Sequence, residues 1–279
     1  MRDTLRQSVF GRPAMLSGAA LLVLAFDGAA RAQCTRDINV PVSANGASVV
    51  IDGDHVHGIY PDLLRAIGPK AGCHFVLTAV PRARQVAMFE TGKADVLIPA
   101  TRTPSRDKMG VFVPMMGHRS MLISVNNQRP AITSAKELLA RREIRLALVR
   151  GFDYGERYQA LVAELTKQGR VFLEVDVNAV VRLMQDGAVD MTIMTPTIFA
   201  GAVNHDPRVK GLLDRLRMEP IPELPWGMSG AYISRTALPA ADQTTLHELF
   251  ERIAKSKAVL EGFQRYHRAD ILAESVRPR

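Results

Sequence analysis

Pro81-Arg82-Ala83-Arg84-Gln85-Val86-Ala87-Met88-Phe89-Glu90-Thr91-Gly92-Lys93-Ala94-Asp95-Val96-Leu97-Ile98-Pro99-Ala100-Thr101 decides the fold, because the chain repeats its plan further on. The second copy is Asn178-Ala179-Val180-Val181-Arg182-Leu183-Met184-Gln185-Asp186-Gly187-Ala188-Val189-Asp190-Met191-Thr192-Ile193-Met194-Thr195. Each copy reads as a short helix, a Gly stop, an Asp three residues later, an apolar strand and a Thr. A helix feeding a buried strand is half of a β-α-β unit. Two such units imply two α/β lobes of similar build, and a cleft between lobes is where small ligands bind.

Outward from these copies, the N-terminus reads as a secretory leader. Arg2, Arg6 and Arg12 make a basic start, Ala14 to Phe26 is apolar, and Ala30-Arg31-Ala32 supplies small residues at a cleavage site. The apolar run is too short to span a bilayer. The reading is a signal peptide over residues 1–32, cleaved after Ala32, with a periplasmic destination. The rival is a lipoprotein signal acting on Cys34, but Gln33 stands where a small residue belongs.

Charge restricts the partners. The chain has 36 Lys and Arg against 28 Asp and Glu, and cleavage removes four basic and two acidic residues, leaving net +6. Dispersed positive charge suits anionic ligands, whereas a nucleic-acid surface needs a concentrated stripe. The seven His are scattered and lie at no metal-ligand spacing with a Cys. No phosphate-loop, dinucleotide or nucleophile-elbow motif occurs. The sequence therefore calls for no metal and no cofactor.

Two cysteines, Cys34 and Cys73, in an exported chain imply a disulfide. Each just precedes an apolar run, Ile38 to Val42 and Phe75 to Ala79. Neighbouring parallel strands there would put both at one sheet edge, where a bridge contributes roughly 4 kcal/mol in the chain-entropy model. Between these runs, Ser43 to His57 is polar with Asn45-Gly46 and Asp52-Gly53 turn signals, and Pro61 starts a helix ended by Gly68-Pro69. Further strands are expected at Val96 to Ile98, Val111 to Val113, Met121 to Val125, Arg145 to Val149, Val171 to Val175, Leu216 to Ile221 and Ala231 to Ser234. Helices are expected from the Ser134 cap to Ala140, over Arg157 to Lys167, from an Asn178 cap, over Pro196 to Val203, and over two stretches after Ala240. Strand and helix in alternation predict α/β with mostly parallel strands.

The order Gly58-Ile59-Tyr60-Pro61-Asp62-Leu63-Leu64, Gly92-Lys93-Ala94-Asp95-Val96-Leu97-Ile98, Thr101-Arg102-Thr103-Pro104-Ser105-Arg106-Asp107 and Phe112-Val113-Pro114-Met115 resembles the family 3 extracellular solute-binding proteins. The resemblance implies a type II periplasmic-binding-protein fold, two α/β lobes joined by a two-crossover hinge. Lobe 1 would be 34–117 plus 227–279, and lobe 2 would be 118–226. The crossovers would lie near Gly117-His118-Arg119 and Pro225-Trp226-Gly227. It implies a small-molecule ligand, delivery to a membrane ABC permease, no enzymatic activity and action as a monomer.

The resemblance also implies site residues. Arg106 matches the Arg that grips the ligand carboxylate, as a guanidinium can with two parallel hydrogen bonds; Arg102 is its rival. Thr101 and Thr103 bracket the carboxylate or serve as turn and cap residues. Arg82 lines the ligand face or a solvated helix face. Arg150 and Gly151 sit at a turn expected to open a helix and offer free N–H groups to an anion. Tyr60 and Trp226 stack on ligand or pack, and Tyr154 is pocket or core. Thr195 stands where relatives that bind amino acids carry an Asp facing the ammonium. Either Asp153 replaces that charge or the ligand is an organic acid without an amino group. Two other readings remain: an enzyme resembling cyclohexadienyl dehydratases, with His57, Asp153 and Glu223 as candidates, and a ligand-reporting partner of a sensor or oxidoreductase system.

Overall fold

The structure, a computed structural model, describes residues 33–125 and 128–279; the expected leader lies outside the described residues. The strands are β1 Ile38–Val42, β2 Val50–Asp52, β3 His55–His57, β4 Phe75–Ala79, β5 Val96–Thr101, β6 Gly110–His118, β7 Met121–Val125, β8 Leu146–Val149, β9 Val171–Glu174, β10 Met191–Met194, β11 Leu216–Glu219, β12 Gly227–Ser234 and β13 Val276–Pro278. The helices are α1 Ile59–Ile67, α2 Arg82–Glu90, α3 Pro104–Met109, α4 Ala135–Ala140, α5 Glu156–Lys167, α6 Val177–Gln185, α7 Pro196–His205, α8 Ala240–Lys255, α9 Ala258–Tyr266 and α10 Ala269–Ser275.

Two sheets form two lobes. The first has the order β13-β6-β12-β5, and the parallel pair β1-β4 continues it beyond β5. That junction is a backbone bond from Asp95 N–H to the Asn39 carbonyl, 2.9 Å. The second sheet has the order β11-β7-β10-β8-β9. Both sheets are mixed, which corrects the expectation of mostly parallel strands. The pairs β1-β4, β8-β9 and β8-β10 are parallel, while β12 runs antiparallel to β5 and β6, and β7 antiparallel to β10 and β11. The antiparallel strands are those by which the chain crosses between lobes, so their direction is set by the connections.

The repeated motif has one structural job in each lobe. Gly92 and Gly187 both take left-handed φ, 69° and 70°, which glycine adopts without a Cβ penalty. Lys93 N–H reaches back to Met88 O and Ala188 N–H to Leu183 O, closing the helix ends alike. The Asp then staples the neighbouring strand. Asn39 N–H donates to Asp95 Oδ2 and Arg145 N–H to Asp190 Oδ2, both at 2.7 Å. In return Asp95 N–H donates to Asn39 O and Asp190 N–H to Arg145 O. A guanidinium covers each carboxylate, Arg36 on Asp95 and Arg145 on Asp190.

Both faces of β5 are covered, which is why its sequence is an unbroken apolar run. Val96 and Ile98 enter the core with Ile38, Val40, Val113 and Phe250, while Leu97 packs with Phe89 and Tyr232. The Cys34–Cys73 disulfide forms as expected, with Cα atoms 4.9 Å apart, because β1 and β4 pair in parallel from Ile38 opposite Phe75.

Several local expectations change. The Ser43 to His57 stretch contains the hairpin β2-β3 around Asp52-Gly53. Asp176, not Asn178, caps α6, its side chain accepting from Ala179 N–H at 2.8 Å. The end of the chain adds α10, which packs on α7 of the second lobe, and β13, which pairs Val276 opposite His118.

Candidate ligand-binding site

The lobes meet at backbone contacts that only glycine permits. A Cβ on Gly201 in α7 would lie 2.2 Å from Ala47 N, and one on Gly46 would lie 2.5 Å from Ile198 O. A Cβ on Gly151 would lie 3.0 Å from Ala83 Cα. The lobes touch, and between them lies a cavity of about 50 Å³ lined from the first lobe by Asn45, Ser48, Tyr60, Arg82 and Thr101, and from the second by Asp153, Tyr154 and Thr195. On that scale one water needs ~10–15 Å³, so a small polar group fits.

Arg82 dominates this cavity. It starts α2 after Pro81, and its side chain turns inward, leaving the residue only 6% exposed. Nη1 donates to Gln85 Oε1 at 2.8 Å and to Pro99 O at 3.2 Å, and Nε is buried without an acceptor. Gln85 is fixed in turn by Ser43 and the Pro41 carbonyl. No carboxylate among the described residues pairs with Arg82. Burial, and then the charge of Arg106, lower its pKa to about 9. It remains cationic at neutral pH.

His118, at the end of β6 where the chain crosses, joins the two copies of the motif. Its Nε2 lies 3.3 Å from Thr101 Oγ1 and its Nδ1 3.3 Å from Thr195 Oγ1. The threonines thus face each other across the cleft with an imidazole between them. Burial lowers the His118 pKa to about 4, so the ring is neutral, with one nitrogen donating and the other accepting. Between pH 4 and 6.5 the unfolded chain holds a proton on this ring that the folded chain lacks, so stability rises with pH in that window. The shift corresponds to on the order of 3 kcal/mol. Thermal melts at pH 7, 5.5 and 4 are expected to fall less steeply for His118→Gln than for the wild type; equal slopes would reject the assignment.

The other expected site residues divide. Tyr60 lines the cavity but is 1% exposed, and its hydroxyl meets Met116 Sδ at 3.9 Å. Asp153 reaches the cavity with Oδ1 accepting from Gly155 N–H at 2.8 Å. Arg106 lines a separate outer groove of about 300 Å³ with Arg150 and Gly151. It is 3% exposed, and its Nη1 donates to Thr101 O at 3.0 Å. Arg102 is exposed and paired with Asp107.

Thr103 lies outside the cavity and caps α3, its hydroxyl accepting from Arg106 N–H. The turn at Arg150 does not open a helix. Arg150 N–H donates to Glu174 O, Phe152 N–H donates to Val149 O, and α5 begins only at Glu156. Trp226 also lies outside. Arg119 and Arg277 both lie over it, their guanidinium carbons 5.2 and 4.6 Å from its ring centroid, beside the crossovers.

Comparison with known proteins accords with this architecture. An amino acid ABC transporter substrate-binding protein from Streptococcus pneumoniae, AbpA bound to L-arginine, superposes with TM-score 0.62 and 18% identity over 82% of this chain and 92% of that one. The GluR0 ligand-binding core in complex with L-glutamate gives 0.63 and 18%, covering 83% and 98%. AncCDT-1, an ancestral amino acid-binding protein described as a precursor of cyclohexadienyl dehydratase, gives 0.65 and 15%, covering 83% and 96%. At these identities the likeness is one of fold: two lobes of the type II periplasmic-binding-protein kind. A search of curated proteins found no match. The family model for bacterial extracellular solute-binding proteins, family 3, matches residues 39–194, and the chain belongs to that family.

Proposed function

We propose that the protein is a periplasmic solute receptor that captures a small carboxylate-bearing ligand, an amino acid or organic acid, and delivers it to a membrane ABC permease. The observation that carries this is Arg82, a buried guanidinium that lines the interlobe cavity and has no ion pair among the described residues. A buried charge is costly unless paired. A ligand carboxylate supplies the missing partner.

Closure then follows as a population shift. Ligand touching Arg82 in one lobe and the Asp153–Thr195 wall in the other favours the closed state by its differential affinity. The lobes are taken as 34–117 with 227–279, and 118–226. The protein works as a monomeric binder rather than an enzyme, in line with the solute-binding family to which it belongs. A thermal-shift screen over amino acids and small organic acids tests the reading, because a ligand that binds only the folded state raises the melting temperature. At least one carboxylate is expected to do so. Stabilisation by uncharged solutes alone would overturn it.

A further inference from the structure

We propose that the ligand carries two acidic groups, one held by Arg82 in the inner cavity and the other by Arg106 in the outer groove. The inference rests on the reading of the cleft as a carboxylate site and narrows the class of ligand.

Two guanidiniums, 6% and 3% exposed, stand close enough that the charge of Arg106 lowers the pKa of Arg82. Neither has a carboxylate within ion-pair distance among the described residues. Among the described residues, Arg82 and Arg106 each donate from the side chain through Nη1 only. Like charges are brought together in a buried site, and most of their donors have no partner among the described residues.

Asp153 is the one acidic residue lining both chambers. One of its oxygens already accepts from Gly155 N–H. Glu90 and Arg150 also line the groove, so the two chambers together carry three guanidiniums, Arg82, Arg106 and Arg150, against two carboxylates, Asp153 and Glu90, a surplus of one positive charge. A zwitterion with a single acid adds no net charge and leaves that surplus in place. A ligand with two acids and an ammonium cancels it.

Volume points the same way. The inner cavity, about 50 Å³, accepts one end of a ligand, while the groove beyond Phe152 offers about 300 Å³. The two chambers share Phe152 and Asp153 as their common wall. A short chain passing that wall places one acid on each guanidinium.

Calorimetry with matched pairs tests this: glutarate against butyrate, and L-glutamate against L-glutamine. The two-acid member of a pair is expected to bind on the order of 10–100-fold tighter, the worth of one added charged hydrogen-bond set. In Arg82→Gln, with circular dichroism confirming the fold, the ratio is expected to fall to about one. Comparable binding of both members by the wild type would overturn the two-acid inference and leave the carboxylate reading standing, as would a full preference retained in Arg82→Gln. No binding by any of the four, together with stabilisation by a non-acidic solute, would overturn both.

Discussion

Gly201→Ala is expected to hold the lobes apart and weaken ligand binding on the order of 100-fold. The added Cβ would stand 2.2 Å from Ala47 N and 2.8 Å from Gly46 C, both backbone atoms that cannot swing away. Overpacking of this kind costs typically ~1–3 kcal/mol or more, and the whole cost falls on the closed state. In the open state the substitution is favourable, because Ala inside a helix is preferred to Gly by ~1 kcal/mol. The sign therefore differs between states. The melting temperature without ligand should hold or rise, small-angle scattering should show the more open form, and affinity should drop. Unchanged affinity for the carboxylate found by thermal shift would show that closure tolerates the methyl group.

Arg82→Met is expected to remove most ligand binding, on the order of 100-fold, while the ligand-free protein becomes more stable. Depression of the Arg82 pKa from 12.5 to about 9 corresponds to on the order of 5 kcal/mol against the charged form. Methionine fills similar space without that penalty. The lost Nη1 bonds to Gln85 and Pro99 cost ~1 kcal/mol each, and Gln85 Oε1 keeps its bond from Ser43. Desolvation is the larger quantity, so the net change favours the variant. Chemical denaturation of both proteins without ligand, and calorimetry with it, should move in opposite directions. A variant that loses stability and affinity together would make Arg82 a structural residue.

Much of the fold could be read from local chemistry. The Gly stops and stapling Asp residues act on their own helix ends and adjacent strands, so the repeat announced both β-α-β units. The disulfide followed because two short parallel strands fix where Cys34 and Cys73 stand. Strand direction was less legible, since β7 and β12 take theirs from crossovers that a local pattern does not encode. The expected Asn178 cap failed by two residues because Asp176 offers the same Asx chemistry earlier.

The site was legible in part. Arg106 and Arg82 stood out as guanidiniums beside motif elements, but which chamber each lines depends on the rotation of α2 and α3. His118 gave no warning, because a lone His at a strand end lacks periodicity and only the closed lobes bring it between Thr101 and Thr195. Gly46 and Gly201 were equally silent, their importance arising from a contact 155 residues away in sequence. Trp226 was expected near the hinge, and its stacking partners proved to be Arg119 and Arg277.

The placement of β12 between β5 and β6 has a consequence for biosynthesis. All five strands of the second sheet lie within residues 121–219, so that sheet can be completed from one continuous stretch. The first sheet waits for a strand 116 residues beyond β6, counted from His118 to Ser234. At translation rates of ~5–20 residues per second this is an interval of roughly 6–23 s. During it β5 and β6 have no strand between them, and unpaired edges of that kind invite pairing with other chains. Assembly order thus runs against sequence order: the lobe begun first is the one completed last.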